Sequence, residues 1–336
     1  MQTIKIRGIG THLPGDPIDN QMIEQVFGID SEWIDLFVGT QTRHFSLDLT
    51  TGAITHSLAE SCLLAAEQAI ADANIDKTQI DALVLATATP DHLMPNTVSL
   101  IMDRLGLNQK EIYQLQSGCS GALQALNLGC QLIRAGTKTT VLVMGGDVCN
   151  KFIDLEEDFS QLKPAELINY VLFGDGAGAV ILSADNESGG MVIDTILHRC
   201  VGRDKPPGQL VHWRGKNRHT AVPMINEDYK AIEVAVPIHT QDLIDELISG
   251  MNCCKSAIDY LLPPQLSKNM TDAIVSRLNM PTASVINVVA ETGNNGNALP
   301  FLQLEKLGCL MQASQKALLV AIESSKWIES GMALYA

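Results

Sequence analysis

Apolar residues recur at helical spacing through 58–75 ("LAESCLLAAEQAIADANI"), and a strand-like apolar run, "IDALVLATATPD", follows at 80–91. The same order returns later in the chain. "HTQDLIDELISGMNC" (239–253) again has helical spacing and leads into "AIDYLLPPQLSKN" (257–269). "SLIMDRLGLNQKEIYQLQSGC" follows the first run, and "DAIVSRLNMPTASVINVVAETGN" follows the second. "TKTTVLVMGGDV" (137–148) then has its counterpart in "SQKALLVAIESS" (314–325). Asp81 pairs with Asp259, Arg104 with Arg277 and Val141 with Leu318, each about 175 residues apart and so far beyond a solenoid repeat. The pattern predicts a duplicated α/β chain whose halves alternate buried strands with helices, giving a mainly parallel sheet covered on both faces. The polar, Gly-rich "SADNESGG" (183–190) is the expected division, with halves 1–184 and 185–336.

Composition narrows the function classes. The chain has 336 residues, 46% of them hydrophobic, enough for a large core. Its formal net charge of −15 argues against general binding to nucleic acid or to an anionic membrane. No apolar run approaches a bilayer span, and "MQTIKIRGIGTHLPGD" does not read as a signal peptide, so a cytoplasmic protein is expected. The eight cysteines (Cys62, Cys119, Cys130, Cys149, Cys200, Cys253, Cys254 and Cys309) form no CxxC pair. Neither a zinc site nor a disulfide framework is expected, and most should be small buried hydrophobes.

Cys119 is the exception worth weighing. In "LQSGCSGALQALNLGCQLIRAG" (115–136) it sits between small residues just before a long apolar-periodic run. Small neighbours permit a tight strand-to-helix turn and close approach of a substrate. A helix start would favour the thiolate, and a thiolate suits covalent catalysis on thioesters. On composition alone, a buried structural cysteine is the commoner role. By the duplication, the Cys119 loop faces "AETGNNGNALP" (290–300), an amide-rich loop of the other half.

"SGCSGALQAL" resembles the nucleophile segment of β-ketoacyl-acyl-carrier-protein synthase III, a thiolase-superfamily family, and the resemblance runs over nearly the whole chain. "SEWIDLFVGTQTRH" (31–44), "ATATPDHLMPNTV", "FGDGAGAVIL" (173–182) and "RLNMPTASVINVVAETGNNGNALP" are similar to further segments of that family. The resemblance implies a thiolase-like duplicated fold layered α-β-α-β-α, a homodimer, and acyl transfer through a Cys119 thioester. It implies no cofactor, the acyl donor being a coenzyme A or phosphopantetheine thioester, with an acyl carrier protein or acyl-coenzyme A as partner. Asn294 falls on the family's active-site Asn, and Trp33 on a residue that stacks on coenzyme A. "GDGAGA" lacks the GK[ST] ending of a phosphate-binding loop and reads as tight packing near the active centre.

Three departures shape the expected chemistry. The family's catalytic His lies in "PHQAN", whereas "LLPPQLSKNM" places Pro264 there. Proline can neither shuttle a proton nor donate a hydrogen bond. Losing one donor of the pair that stabilises an enolate costs on the order of 2.7–4 kcal/mol, so ordinary decarboxylative condensation is not expected. The family's C-terminal Gly-rich stretch is replaced by "IESSKWIESG" (322–331), in which Glu323 or Ser324 could offer backbone donors. Phe37 stands where the family has an Arg beside the coenzyme. His198, His44 and His92 read as structural. "RDKPPGQLVHWRGKNRH" (203–219), which carries His212 and His219, sets five basic residues in an acidic chain. Among them Arg214, Lys216 and Arg218 are candidates to dock a phosphopantetheine phosphate or an acidic carrier.

The reading is a non-decarboxylative acyltransferase of fatty-acid-like or specialised-metabolite (polyketide) biosynthesis. The alternatives are a non-catalytic or half-active subunit of a heteromeric ketosynthase, and a condensing 3-oxoacyl synthase with a relocated base.

Overall fold

The computed structural model describes residues 2–155, 157–184, 189–212 and 225–336. In chain order the first half contains β1 (Ile4–His12), β2 (Ile18–Asp19), α1 (Asn20–Phe27), α2 (Ser31–Phe37), β3 (Thr42–Arg43) and α3 (Leu58–Asp72). It continues with β4 (Ala82–Ala86), α4 (Thr97–Arg104), β5 (Glu111–Leu115), α5 (Gly121–Arg134), β6 (Thr140–Asp147), α6 (Pro164–Leu172) and β7 (Gly176–Ser183). The second half holds β8 (Met191–Cys200), β9 (Gln209–Val211), β10 (Ile225–Glu227), α7 (Tyr229–Gly250), β11 (Tyr260–Leu262) and α8 (Lys268–Leu278). It ends with β12 (Ser284–Val285), α9 (Val289–Thr292), α10 (Leu299–Gly308), β13 (Lys316–Glu323) and β14 (Ile328–Tyr335).

Ten strands form one sheet in the order β12-β11-β13-β14-β8-β1-β7-β6-β4-β5. Read outward from the centre, β1-β7-β6-β4-β5 and β8-β14-β13-β11-β12 are the same arrangement twice. The predicted duplication is therefore present as topology. It reaches individual hydrogen bonds: the Asp81 amide donates to Thr140 O and the Asp259 amide to Lys316 O, both at 2.9 Å. Asp81 Oδ2 accepts from the Thr139 and Thr140 amides at 2.8 and 3.1 Å, and Asp259 Oδ2 accepts from the Lys316 amide at 2.8 Å.

Strand alternation sorts the side chains into layers. Leu83, Leu85, Leu142, Met144, Ala179 and Ile181 face α3 and α4, while Val84, Val143, Val180 and Leu182 point the other way. That second set shares a cluster with α5, α10 and, from the other half, Leu262, Leu319, Met332 and Leu334. Leu318, Val320 and Ile322 turn outward to α7 and α8. The layers are thus α3/α4, half-sheet, α5/α10, half-sheet, α7/α8, as the α-β-α-β-α expectation has it.

Helix starts follow from local chemistry. Ser57 and Glu60 make a capping box at α3, and the Asp91 carboxylate takes the Leu58 and Ala59 amides, both at 2.9 Å. The periodicity places the second-half helix at 239–253, but α7 begins ten residues earlier, at Tyr229, capped by Asp228. Pro237 lies within it, a residue that in sequence signals a boundary. The junction residues 185–188 lie outside the described residues.

Asp81 gives a test of the duplicated clamp, since Thr139 Oγ1 also donates to it at 3.0 Å. Asp81→Ala leaves these donors without their acceptor and should cost about 1–3 kcal/mol. A thermal melt should show a midpoint lowered by several degrees relative to wild type, with Asp259→Ala falling by a similar or smaller amount.

Candidate active site

β5 feeds a single 3-10 turn, Gly118–Ser120, from which α5 starts. Cys119 is therefore one turn ahead of the helix, half-buried and unpaired with any other cysteine. Gly118 has φ of 49°, in the left-handed region, and a side chain there would run into the Glu323 carboxylate. Glu323 ends β13, is 1% exposed, and accepts the Cys119 amide through Oε2 and the Ser325 amide (2.7 Å) through Oε1.

The other half repeats this arrangement. Gly296 opens a matching 3-10 turn, Gly296–Ala298, with φ of 53°, and a side chain there would meet Asp147. Asp147 ends β6, the topological twin of β13, and its Oδ2 accepts the Asn297 amide at 2.9 Å. Each half thus lends a strand-end carboxylate to the turn of the other, and Cys119 and Asn297 occupy twin positions.

The twins differ in how fully the carboxylate is used. Asp147 accepts from Thr87 Oγ1 (3.1 Å), the Ala88 amide (2.7 Å), Thr89 Oγ1 (3.1 Å), the Asn297 amide and Asn297 Nδ2 (2.8 Å). Among the described residues Glu323 accepts two backbone amides, and the thiol of Cys119 lies within hydrogen-bonding reach of it.

A low thiol pKa was the expectation from a helix start, and the structure reverses it. Burial pushes the Cys119 thiol well above its ordinary value, and the Glu323, Asp147 and Glu227 carboxylates push it further in the same direction. The thiol precedes the helix, and its burial beside the carboxylate that takes its own amide works against the thiolate.

Glu227 arrives from the β9–β10 hairpin, which sequence periodicity does not reveal. The Gly208 amide donates to Ser324 O at 3.0 Å and Trp327 Nε1 to Pro206 O at 2.9 Å, so the segment before the hairpin is tied to the turn after Glu323. Burial raises the Glu227 pKa, and its Oε1 accepts from Gln209 Nε2. Its Oε2 is buried without a hydrogen-bond partner among the described residues. Tyr229, at the start of α7, has its hydroxyl on Asn169 Oδ1 at 3.1 Å.

The other candidates are placed as follows. Asn294 is buried; its amide donates to Leu172 O (2.9 Å), its carbonyl accepts from Gly174 (3.2 Å) and its Oδ1 accepts from the Gly296 amide (3.1 Å). It lies on the loop that leads into the Asn297 turn, with no hydrogen bond to Cys119. Pro264 is buried, and its carbonyl accepts from Thr271 Oγ1 at 3.3 Å. Trp33 sits on α2 with its ring 5.5 Å from that of Phe37, lining an open cleft of about 480 Å³ with Phe159 and Leu167. Ser324, one of the two residues that could offer a backbone donor, accepts the Gly208 amide through its carbonyl, and Glu323 accepts the Cys119 amide through its carboxylate. His198 packs on β8 with Nδ1 2.6 Å from Ser330 Oγ. Arg214, Lys216, Arg218 and His219 lie outside the described residues. Among the described residues no cluster of His, Cys, Asp or Glu is placed to hold a metal ion, and no helix is long and apolar enough to cross a membrane.

Comparison with known proteins decides the family. The model of 3-oxoacyl-[acyl-carrier-protein (ACP)] synthase III matches residues 113–199. The β-ketoacyl-[acyl-carrier-protein] synthase III of Thiobacillus denitrificans is 31% identical over 296 residues, 88% of this chain and 86% of that one. The chain belongs to the β-ketoacyl-[acyl-carrier-protein] synthase III family. Its class is that of acyl-transferring condensing enzymes. Another member of that name, from Xanthomonas euvesicatoria, is 31% identical over 90% of this chain and 88% of its own. The solved structure of AbyA1, a tetronic acid condensing enzyme, is 44% identical, covers 99% of this chain and 100% of its own, and superposes with a TM-score of 0.96. The synthase III from Pseudomonas aeruginosa PAO1, at 23% identity and a TM-score of 0.83 over 99% of this chain and 98% of its own, shares the fold.

The Gly-rich segment that resembles the synthase III signature proves to be a clamp. Asp175 Oδ2 accepts from the Ser46 amide (2.7 Å) and Asn150 Nδ2 (2.6 Å), Oδ1 from the Asn150 amide (3.0 Å), and its carbonyl from Asn295 Nδ2 (2.9 Å). Burial raises its pKa from 3.8 to about 6. The folded chain therefore binds the proton more tightly than the unfolded one, and stability falls as pH rises through the window from 3.8 to about 6. Melts of wild type and Asp175→Asn between those limits should diverge, the wild type losing about 2–3 kcal/mol more than the variant on going up in pH. Parallel curves would show that the carboxyl does not titrate in this way.

Proposed function

We propose that Cys119 takes an acyl group from a coenzyme A or carrier-bound thioester and passes it to a carbon that is already acidic, without loss of carbon dioxide. What supports this most is Pro264, buried and offering only a carbonyl where the family resemblance puts the proton-handling His. Asn294, whose Nδ2 has no hydrogen-bond partner among the described residues, would bind the acceptor or the developing oxyanion.

The likeness to a tetronic acid condensing enzyme gives this reading a substrate class. A tetronic acid ring needs one carbon–carbon and one carbon–oxygen bond. A 3-oxoacyl thioester supplies a carbon flanked by two carbonyls, and a 2-hydroxyacyl thioester supplies the second carbonyl and the hydroxyl. The carbon between two carbonyls loses a proton far more readily than the methyl of an acetyl thioester, so no decarboxylation is needed to form the enolate. Both donor thiols leave and every carbon is kept. On this reading Arg214, Lys216 and Arg218 steer the carrier, and Trp33 contacts the pantetheine arm.

Intact-protein mass spectrometry with a panel of acyl thioesters should show one adduct on wild type and background uptake on Cys119→Ala. Wild type should release no carbon dioxide from malonyl thioesters, yet join 3-oxoacyl and 2-hydroxyacyl thioesters into a ring. Robust malonyl decarboxylation would overturn the non-decarboxylative reading, and stoichiometric labelling of Cys119→Ala would overturn the nucleophile.

A further inference from the structure

We propose that Glu323 is the general base that takes the Cys119 thiol proton and returns it to the departing thiol. The inference rests on the acyl-transfer reading and supplies the base which that reading leaves unnamed.

The duplication provides the argument. Asp147 and Glu323 end twin strands and accept twin amides, from Asn297 and Cys119. In the Asp147 copy every lone pair is used: two hydroxyls, two amides and the Asn297 side chain converge on it. That carboxylate has no capacity for a proton in transit. In the Glu323 copy the side-chain amide of the twin residue is replaced by a thiol, and among the described residues no hydroxyl donates to the carboxylate. The Glu323 carboxylate that takes the Cys119 amide is also within hydrogen-bonding reach of its thiol. A fold element that is purely structural in one half has spare acceptor capacity beside a nucleophile in the other.

Electrostatics require such a base. Among the described residues, the other titratable groups that act on the pair are Asp147 at the end of β6, Cys149 just beyond it, and Glu227 on β10. Burial and these acidic neighbours hold the thiol well above its ordinary pKa, so loss of its proton to water would add a negative charge where carboxylates already sit. Transfer to Glu323 leaves the net charge unchanged. The S–H bond breaks as the proton moves to a Glu323 oxygen, and the sulfur bonds to the thioester carbonyl carbon. Glu323 is then neutral and no longer repels the charge growing on the carbonyl oxygen. When the tetrahedral adduct collapses, the carbon–sulfur bond to the donor breaks and the proton passes from Glu323 to the leaving sulfur. No oxidant, reductant or metal enters the balance.

The test follows acylation rate against pH for full-length wild type, Glu323→Gln, Glu323→Asp and Asp147→Asn, using a panel of acyl-coenzyme A and N-acetylcysteamine thioesters. With an internal base, wild type should vary by less than about threefold between about pH 6.5 and 8.5. Glu323→Gln should be about 10²-fold slower near pH 7 and rise about tenfold per pH unit, because the thiolate now forms only by loss to solvent. Glu323→Asp should keep the flat profile at a reduced rate, and it carries the test if the Gln variant does not fold. Asp147→Asn should also stay flat, whatever its stability. A Glu323→Gln enzyme with wild-type rate and profile would overturn the proposal, as would a Glu323→Asp profile with the steep slope of solvent deprotonation. Absence of any acyl uptake by wild type would instead overturn the acyl-transfer reading, and this inference with it.

Discussion

The crosswise exchange of carboxylates between the two halves is the contact on which the site depends. Two glycine turns, each too cramped for a side chain, approach the ends of two buried strands, and each strand end offers a carboxylate to the opposite turn. The exchange fixes the spacing between the halves at the point where α5 and α10 begin. It also satisfies backbone amides that would otherwise be orphaned where the two helices begin. Cys119 is held in place by a residue some two hundred positions away in sequence, belonging to a strand of the other half.

From that contact the electrostatic character of the site follows. Most nucleophilic cysteines are read as activated by positive surroundings. Here the described surroundings are acidic, and burial together with three carboxylates disfavours the thiolate. The hairpin that brings Glu227 is tied to the same turn as Glu323, so both carboxylates are positioned by one set of contacts, the Gly208 amide on Ser324 O and the Trp327 indole on Pro206 O.

Much of this is legible in the sequence, because burial leaves a pattern. The all-apolar runs ending in Asp147 and in Glu323 are visible as a repeat, and so is the pairing of Asp81 with Asp259. The layers follow from strict alternation along those strands. Cys119 and Asn294 stand out through short motifs whose residues are adjacent in sequence. Glu323 is visible as a residue but not as a carboxylate acceptor, since its partner is an amide with no sequence signature. The repeat as aligned through Val141 and Leu318 lays Asp147 over Ser324; in the structure Val141 lies against Ala82 and Ala317 against Tyr260, a register one residue earlier that brings Glu323 under Asp147. Glu227 and Gln209 come from a two-stranded hairpin in a non-periodic stretch, where neither period 2 nor period 3.6 is long enough to register. The early start of α7 is masked by Pro237.

The seam between the half-sheets consists of three residue pairs, Ile4–Ile193, Lys5–Val192 and Ile6–Met191. Far more of the contact between halves runs through the shared α5/α10 layer. The two copies are therefore relatives by descent of pattern yet not autonomous units. Either one alone would present the inner face of its sheet, and one of the two helices that cover it, to water. Cutting the chain between the halves should therefore yield two pieces that associate or aggregate rather than two soluble domains, because each needs the other's inner helix to close its sheet.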